Sequence, residues 1–206
     1  SNPSKYDSSR VIYHDASFVA IHDLYPKSSV HTLLLPRSAK LNLLHPLDAF
    51  NDAAFLAEVR AEAAKLKYIV AKDLQRRYGR FSKQDEKREA VLNGEVDADE
   101  LPVGRDWEKE VLVGVHAGPS MNHLHVHVLS ADRYSECVKH RKHYNSFATD
   151  FFVGLEEFPV TEEEMRRRRS VLKQDVKCWR CGQNFGNKFK KLKEHLALEF
   201  EAWKKE

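Results

Sequence analysis

The sequence predicts an α+β fold, with a mainly antiparallel five-stranded sheet and helices followed by a small C-terminal finger of the Cys2His2 type. Three observations predict it. Short β-rich runs separated by turn residues occupy both flanks of the first 133 residues. One long helical stretch lies between them. Cys178 and Cys181, with His195 downstream, sit in a separate basic tail.

The β-rich runs 11–14 and 18–22 flank Asp15-Ala16-Ser17, which reads as a hairpin turn. A third run, 30–35, follows the loop Pro26-Lys27-Ser28-Ser29 and is closed by Pro36. Residues 47–78 read as one helix. Its apolar or small positions recur at Phe50, Ala54, Ala57, Ala61, Ala64, Tyr68, Ala71 and Tyr78, with Asp48 near the start and Gly79 as the cap. Residues 82–106 are polar, with Asn93-Gly94 and Pro102, and read as an exposed insertion. Strands are expected at 110–116 and 124–130, joined by Ala117-Gly118-Pro119-Ser120. Beyond Asp132 the character changes. Lys139 to His143 is basic, and 162–169 is helical with an acidic front and a basic rear that suit the helix dipole. Arg166 to Arg169 reads as a solvated helix end. The chain is expected to divide into a main domain at 5–133, a basic bridge at 134–174 and a finger at 175–206.

The 206 residues suit one ordinary domain plus an appendage. No apolar run approaches the ~20 residues that span a bilayer, so no membrane partner is expected. Ser1 to Lys5 hold no apolar stretch of a signal peptide, and residue 1 is not Met. Three cysteines, two of them in a Cys-x-x-Cys pair, suit a reducing compartment and a metal knuckle rather than a disulfide framework. Net charge is +3, and the excess is C-terminal: 16 Lys+Arg against 12 Asp+Glu from residue 134 onward, 18 against 19 before it. That asymmetry suits either an anionic partner or a plain solvated surface.

His123, His125 and His127 alternate with Leu124, Val126 and Val128, so in a strand the histidines share one face and the aliphatics the other. Such a face could be polar surface, a metal site, or a nucleophile on phosphorus with a neighbour fixing its tautomer. A metal site would need a further ligand, which the flanking sequence does not mark. The preceding Gly118-Pro119-Ser120-Met121-Asn122 favours phosphorus chemistry, because such a turn aims backbone N–H groups and a hydroxyl at phosphate oxygens.

The stretch from Gly114 to Leu129, with its His-x-His-x-His core, resembles the histidine triad family. Ile21-His22-Asp23-Leu24-Tyr25-Pro26 resembles the segment where that family holds its nucleotide. The likeness covers roughly residues 10–133. It implies that His125 is the nucleophile and carries AMP, that His127 and Ser120 contact the same phosphate, and that His123 supports the strand behind the site. It implies further that Asp23 takes the ribose hydroxyls, that His22 and Leu24 border the adenine, and that Gly118 and Met121 complete the nucleotide site.

In the tail, His195 follows Cys181 after thirteen residues, with Phe185 and Leu192 as a small apolar pair. This is close to a Cys2His2 finger, but the interval is one residue long and Glu199 stands where the second histidine belongs. A carboxylate can bind zinc, and spacing of four puts Glu199 on the helix face of His195. Cys178, Cys181, His195 and Glu199 are the expected ligands of a structural zinc. A unit of ~30 residues would hardly fold without one.

A histidine triad domain followed by such a finger resembles the aprataxin branch of the family, in its fungal form. Lys142-His143-Tyr144-Asn145-Ser146-Phe147 is similar to the segment between the two domains there. Other members can carry a forkhead-associated domain in front; none lies within these residues. The resemblance implies a hydrolase that removes AMP from 5′-adenylated DNA ends left by abortive ligation, in single-strand break repair. The mechanism runs through a covalent His125–AMP, with His116 near the leaving phosphate and no metal needed for the chemistry. AMP is the product, and the nucleus the implied compartment, with the cytoplasm as a second. Lys27, Ser28, Ser29, Tyr134, Ser135, Lys139, Arg141 and Lys142 would touch DNA. Two rivals remain open: a phosphoramidase or dinucleoside polyphosphate hydrolase, which needs no finger, and a DNA-end binder without activity.

Overall fold

The computed structural model describes residues 2–121 and 123–206, with Lys5 as backbone only. Ser1 and Asn122, the latter read as part of the loop into the histidine strand, lie outside the described residues.

Six strands form the sheet rather than five. They are β1 (Val11–His14), β2 (Phe18–His22), β3 (His31–Pro36), β4 (Val111–His116), β5 (Val126–Ser130) and β6 (Phe152–Gly154), in the order β1-β2-β3-β5-β4-β6. Every neighbouring pair is antiparallel. The sixth strand comes from the stretch read as bridge. Only three residues long, it has too little alternation to be seen as a strand in the sequence. A side chain at Gly114 would lie 2.4 Å from the Val153 carbonyl, so glycine is what lets β6 close on β4.

Asp15 builds the first hairpin: its carboxylate accepts from the Ser17 and Phe18 N–H groups, both at 2.7 Å. The expected single helix at 47–78 is two. A turn, α1 (Pro46–Ala49), precedes α2 (Ala53–Tyr78). Asp52, not Asp48, caps the long helix, accepting from Ala54 and Phe55 N–H at 3.0 and 3.1 Å. The buried face of α2 also differs from the small-residue stripe. Ala54, Ala57, Ala61, Ala64 and Tyr68 are exposed, whereas Phe55, Leu56, Val59, Ala63, Leu66, Val70 and Leu74 are buried. Each Leu, Val or Phe gains about 1.5–3 kcal/mol on burial, so the face with the larger side chains turns inward.

Helix α2 covers one face of the sheet. Phe18 and Ala20 of β2, Leu34 of β3, Val126 and Val128 of β5 and Val153 of β6 point into that core. Alternation then sends Val19, Ile21, Leu33 and Leu35 to the opposite face, where the histidines gather.

The 82–106 insertion is anchored rather than free. It carries α3 (Glu86–Leu92), and Asp85 is buried, accepting from the Arg105 N–H at 3.0 Å and the Trp107 indole N–H at 2.8 Å. Buried Arg105 donates to the Trp203 carbonyl at 2.6 Å, pairs with Glu110 at 2.8 Å and lies between the Trp107 and Trp203 rings. Trp203 ends the finger helix α6 (Phe189–Trp203) and is itself buried in the catalytic core. The insertion therefore clasps the finger onto the catalytic domain. Between them run α4 (Arg141–Ala148) and α5 (Glu162–Arg169); a Thr161–Glu164 capping box opens α5. Among the described residues no helix is long and apolar enough to cross a membrane.

Candidate active site and zinc centre

Strand β5 begins at Val126, two residues later than the alternation suggests. His123 is therefore exposed and off the strand, while His125 and His127 are buried with ring centres 4.7 Å apart. What His123 supplies inward is its carbonyl, which accepts from Nδ1 of His125 at 2.7 Å. That bond places the His125 proton on Nδ1 and leaves the Nε2 lone pair free.

A fourth histidine, His31 on β3, fixes the next ring. The Lys27 backbone N–H donates to Nδ1 of His31 at 3.0 Å, so a neutral His31 carries its proton on Nε2. Nε2 lies 2.9 Å from Nδ1 of His127 and donates to it. The proton of His127 is thereby set on Nε2, which is buried and has no protein partner. An unpartnered buried donor beside a free lone pair suits an anion that accepts from one while being attacked by the other. His31 also lies 3.5 Å from an Asp23 oxygen, through its proton-free Nδ1. This contact is not an ion pair, because burial holds the His31 pKa at about 4.

Burial lowers the other rings too: His116 to about 3, His127 well below its ordinary value, and His125 downward. All four are neutral at pH 7, as a nitrogen nucleophile requires. Phe147 walls the cluster, with ring centres 5.3, 4.6 and 5.0 Å from His31, His116 and His127. Its apolar edge contributes to the desolvation. Neither His31 nor Phe147 stands out in the sequence. The one signal for His31 is a histidine at the head of a strand that runs on into Leu33, Leu34 and Leu35.

The remaining residues fall into three groups. Asp23 is half-buried where β2 ends, beside exposed His22 and Leu24, and it accepts from the Tyr25 N–H at 2.8 Å. A cavity of about 320 Å³ opens on the other side of His125. It is lined by Leu43, His45, His116, Met121 and His123 among others, and by none of His22, Asp23 or Leu24. Gly118 and exposed Ser120 belong to the loop at its edge.

The residues read as DNA contacts lie around this face with different exposures. Ser28 is buried, and the Ser29 hydroxyl and N–H both go to Asp132, at 2.7 and 3.0 Å. The Ser135 hydroxyl donates to the Pro26 carbonyl at 2.6 Å, and Tyr134 stacks on Phe200 at 4.6 Å. Lys139 and Lys142 are exposed and Arg141 half-exposed, with no ion pair among the described residues.

In the finger, the ligand atoms of Cys178, Cys181, His195 and Glu199 all lie within 4.8 Å of one another. Sγ of Cys181 is 3.2 Å, and Oε1 of Glu199 3.0 Å, from Nε2 of His195. Two thiols, an imidazole and a carboxylate converging in this way fit a tetrahedral zinc. Tyr144 holds the knuckle, its hydroxyl donating to the Lys177 carbonyl at 2.8 Å and accepting from the Trp179 N–H at 2.9 Å.

Comparison with known proteins agrees with both halves. The HIT domain family matches residues 5–134, and the C2HE / C2H2 / C2HC zinc-binding finger family matches residues 148–202. The aprataxin-like protein of Schizosaccharomyces pombe is 35% identical over 98% of this chain and 78% of its own length. That of Saccharomyces cerevisiae is 34% identical over 98% and 92%. The chain belongs to the aprataxin family. Its fold matches a crystal structure of the aprataxin ortholog Hnt3 in complex with DNA, with a TM-score of 0.73 and 30% identity, over 98% of this chain and 90% of that one. Hnt3 in complex with DNA and guanosine matches with a TM-score of 0.65 at 33% identity, over 98% and 92%. Like its aprataxin relatives, the chain pairs a histidine triad sheet with a zinc-binding finger, and zinc is structural in that finger.

Proposed function

We propose that this aprataxin-family protein is a DNA 5′-adenylate hydrolase acting through His125. Nε2 of His125 attacks the α-phosphorus. A P–N bond forms as the bond to the DNA 5′-phosphate oxygen breaks, and that oxygen leaves with the electron pair. Water then cleaves the P–N bond and releases AMP and a proton. His127 donates from Nε2 to a non-bridging phosphate oxygen, with Ser120 and Gly118 at the same phosphate. Asp23 takes the ribose, with His22 and Leu24 beside the adenine. The imidazoles and the loop supply the chemistry, and no metal takes part; Cys178, Cys181, His195 and Glu199 hold the structural zinc.

One observation carries this reading: a free Nε2 on His125 stands beside an unpartnered Nε2–H on His127, the first ordered by the His123 carbonyl and the second by His31. The clasped finger supports a DNA substrate over a free nucleotide, since a fixed second domain turns affinity for the strand into positioning of its end. Lys27, Lys139, Arg141 and Lys142 meet DNA phosphates, while Ser28, Ser29, Tyr134 and Ser135 shape the rim. Hnt3, the solved relative, is described in complex with DNA. Such a substrate places the protein in the nucleus.

The test compares kcat/KM on a 5′-adenylated nicked duplex with that on a small AMP-amine. A preference for DNA of two or more orders of magnitude is expected. Equal values would identify a small-molecule phosphoramidase instead.

A further inference from the structure

The nucleophile sits among rings that are neutral at pH 7, yet the reaction separates two phosphates. Permanent cations must come from elsewhere. One is Lys27, whose ammonium donates to the Tyr25 carbonyl, two residues from Asp23. The other side of His125 has no such group among the cavity-lining residues.

The sheet order says what that side is for. Asp23 ends β2 and His31 opens β3, whereas His116 ends β4; His125 enters β5, which lies between β3 and β4. If the nucleoside lies toward Asp23, the cavity beyond His125, toward His116, is left for the leaving group. Two imidazoles line it: His116, whose buried Nε2 has no partner, and His45, whose Nδ1 accepts from the Leu47 N–H at 3.1 Å.

Arg169 stands next to His45 and to the turn that follows His116. It is the last residue of α5, and its Nε donates to the Ala117 carbonyl at 2.8 Å, where the phosphate loop begins. Its side chain crosses Gly118 so closely that a Cβ there would meet Cγ of Arg169 at 3.3 Å. Its Nη2 is 3.2 Å from Nε2 of His45, whose ring also hydrogen-bonds the Ala117 carbonyl, so the arginine and the histidine meet at the start of the loop. Arg166 pairs with Glu162 and Arg168 with Glu157, but Arg169 has no carboxylate partner among the described residues. An exposed arginine anchored through Nε and without a carboxylate partner is arranged for a phosphate.

We propose that Arg169 binds the leaving 5′-phosphate of the DNA, in the cavity that His45 and His116 line. The inference rests on the proposed reaction at His125. As the P–O bond breaks, negative charge grows on the DNA phosphate, and the guanidinium stabilises it. Arg169 is thus specific to phosphoanhydride substrates; a substrate whose leaving group is an amine puts no phosphate beside it.

The test is Arg169→Ala and Arg169→Lys, assayed on a 5′-adenylated nicked duplex and on adenosine 5′-phosphoramidate, whose leaving group is ammonia. Arg169→Ala is expected to lose at least tenfold in kcat/KM on the DNA and to stay within twofold of wild type on the phosphoramidate, with Arg169→Lys recovering part of the loss. Equal losses on both substrates would reduce Arg169 to a brace for the loop and overturn the proposal, as would no loss on either. Wild-type preference for DNA is read separately, so the proposed function and this assignment fail independently.

Discussion

His31 donates from Nε2 to Nδ1 of His127 across 2.9 Å, and this bond decides which nitrogen of His127 faces the substrate. Replacing His31 with Ala frees His127 to take the other tautomer. Loss of one preorganised donor typically costs about a hundredfold in kcat. That loss is expected here, with DNA affinity nearly unchanged in a binding titration of the uncleavable duplex.

The same burial sets the pH response of catalysis. The lowered pKa of His125 keeps its nitrogen unprotonated into mild acid. The acid limb of kcat/KM is therefore expected below the ordinary histidine value of about 6.5. A pH profile from 4.5 to 8 checks this, and a midpoint at or above 6.5 contradicts it.

Stability moves in the same window. Folded His31 has a pKa of about 4, below that of the unfolded chain, so the unfolded state binds more protons as pH falls. Its contribution is complete above about pH 6.5 and is lost as pH drops toward 4; by pH 5 the loss is about 2 kcal/mol. Urea unfolding at pH 7 and pH 5 measures it, and His31→Asn should shrink the difference by about that amount.

Metal and domain clasp are coupled through α6, which carries His195 and Glu199 and ends at buried Trp203. One zinc per chain is expected by elemental analysis. Cys178→Ala should lose it and lower the Tm of the whole protein, not of a finger alone. Asp85→Ala strands two buried donors, the Arg105 N–H and the Trp107 indole. Its cost should be about 2–4 kcal/mol in chemical denaturation, with zinc retained.

What could be read from the sequence divides along chemical lines. The alternating histidines, and the Cys178–Cys181 pair with His195 and Glu199 downstream, are side chains that bind metals or react at tight spacing, and the four finger groups do converge in space. His31 and Arg169 were not legible, because their partners are far along the chain: 96 residues separate His31 from His127, and 52 separate Arg169 from Ala117. The α2 face was misread because five small or aromatic residues kept helical spacing while larger aliphatics beside them carried the burial. The polar insertion reads as free because its anchors are charged residues satisfied only in the fold: Asp85 by the Arg105 N–H and the Trp107 indole, and Arg105 by Glu110 and the Trp203 carbonyl of the finger helix.

The central claim is that His125 carries AMP. Wild-type protein mixed with a 5′-adenylated nicked duplex, quenched within one turnover and digested for mass spectrometry, tests it directly. An AMP adduct on the peptide holding His125, absent in His125→Ala together with turnover, is the expected result. Undiminished turnover by His125→Ala, or an adduct on another residue, would contradict it.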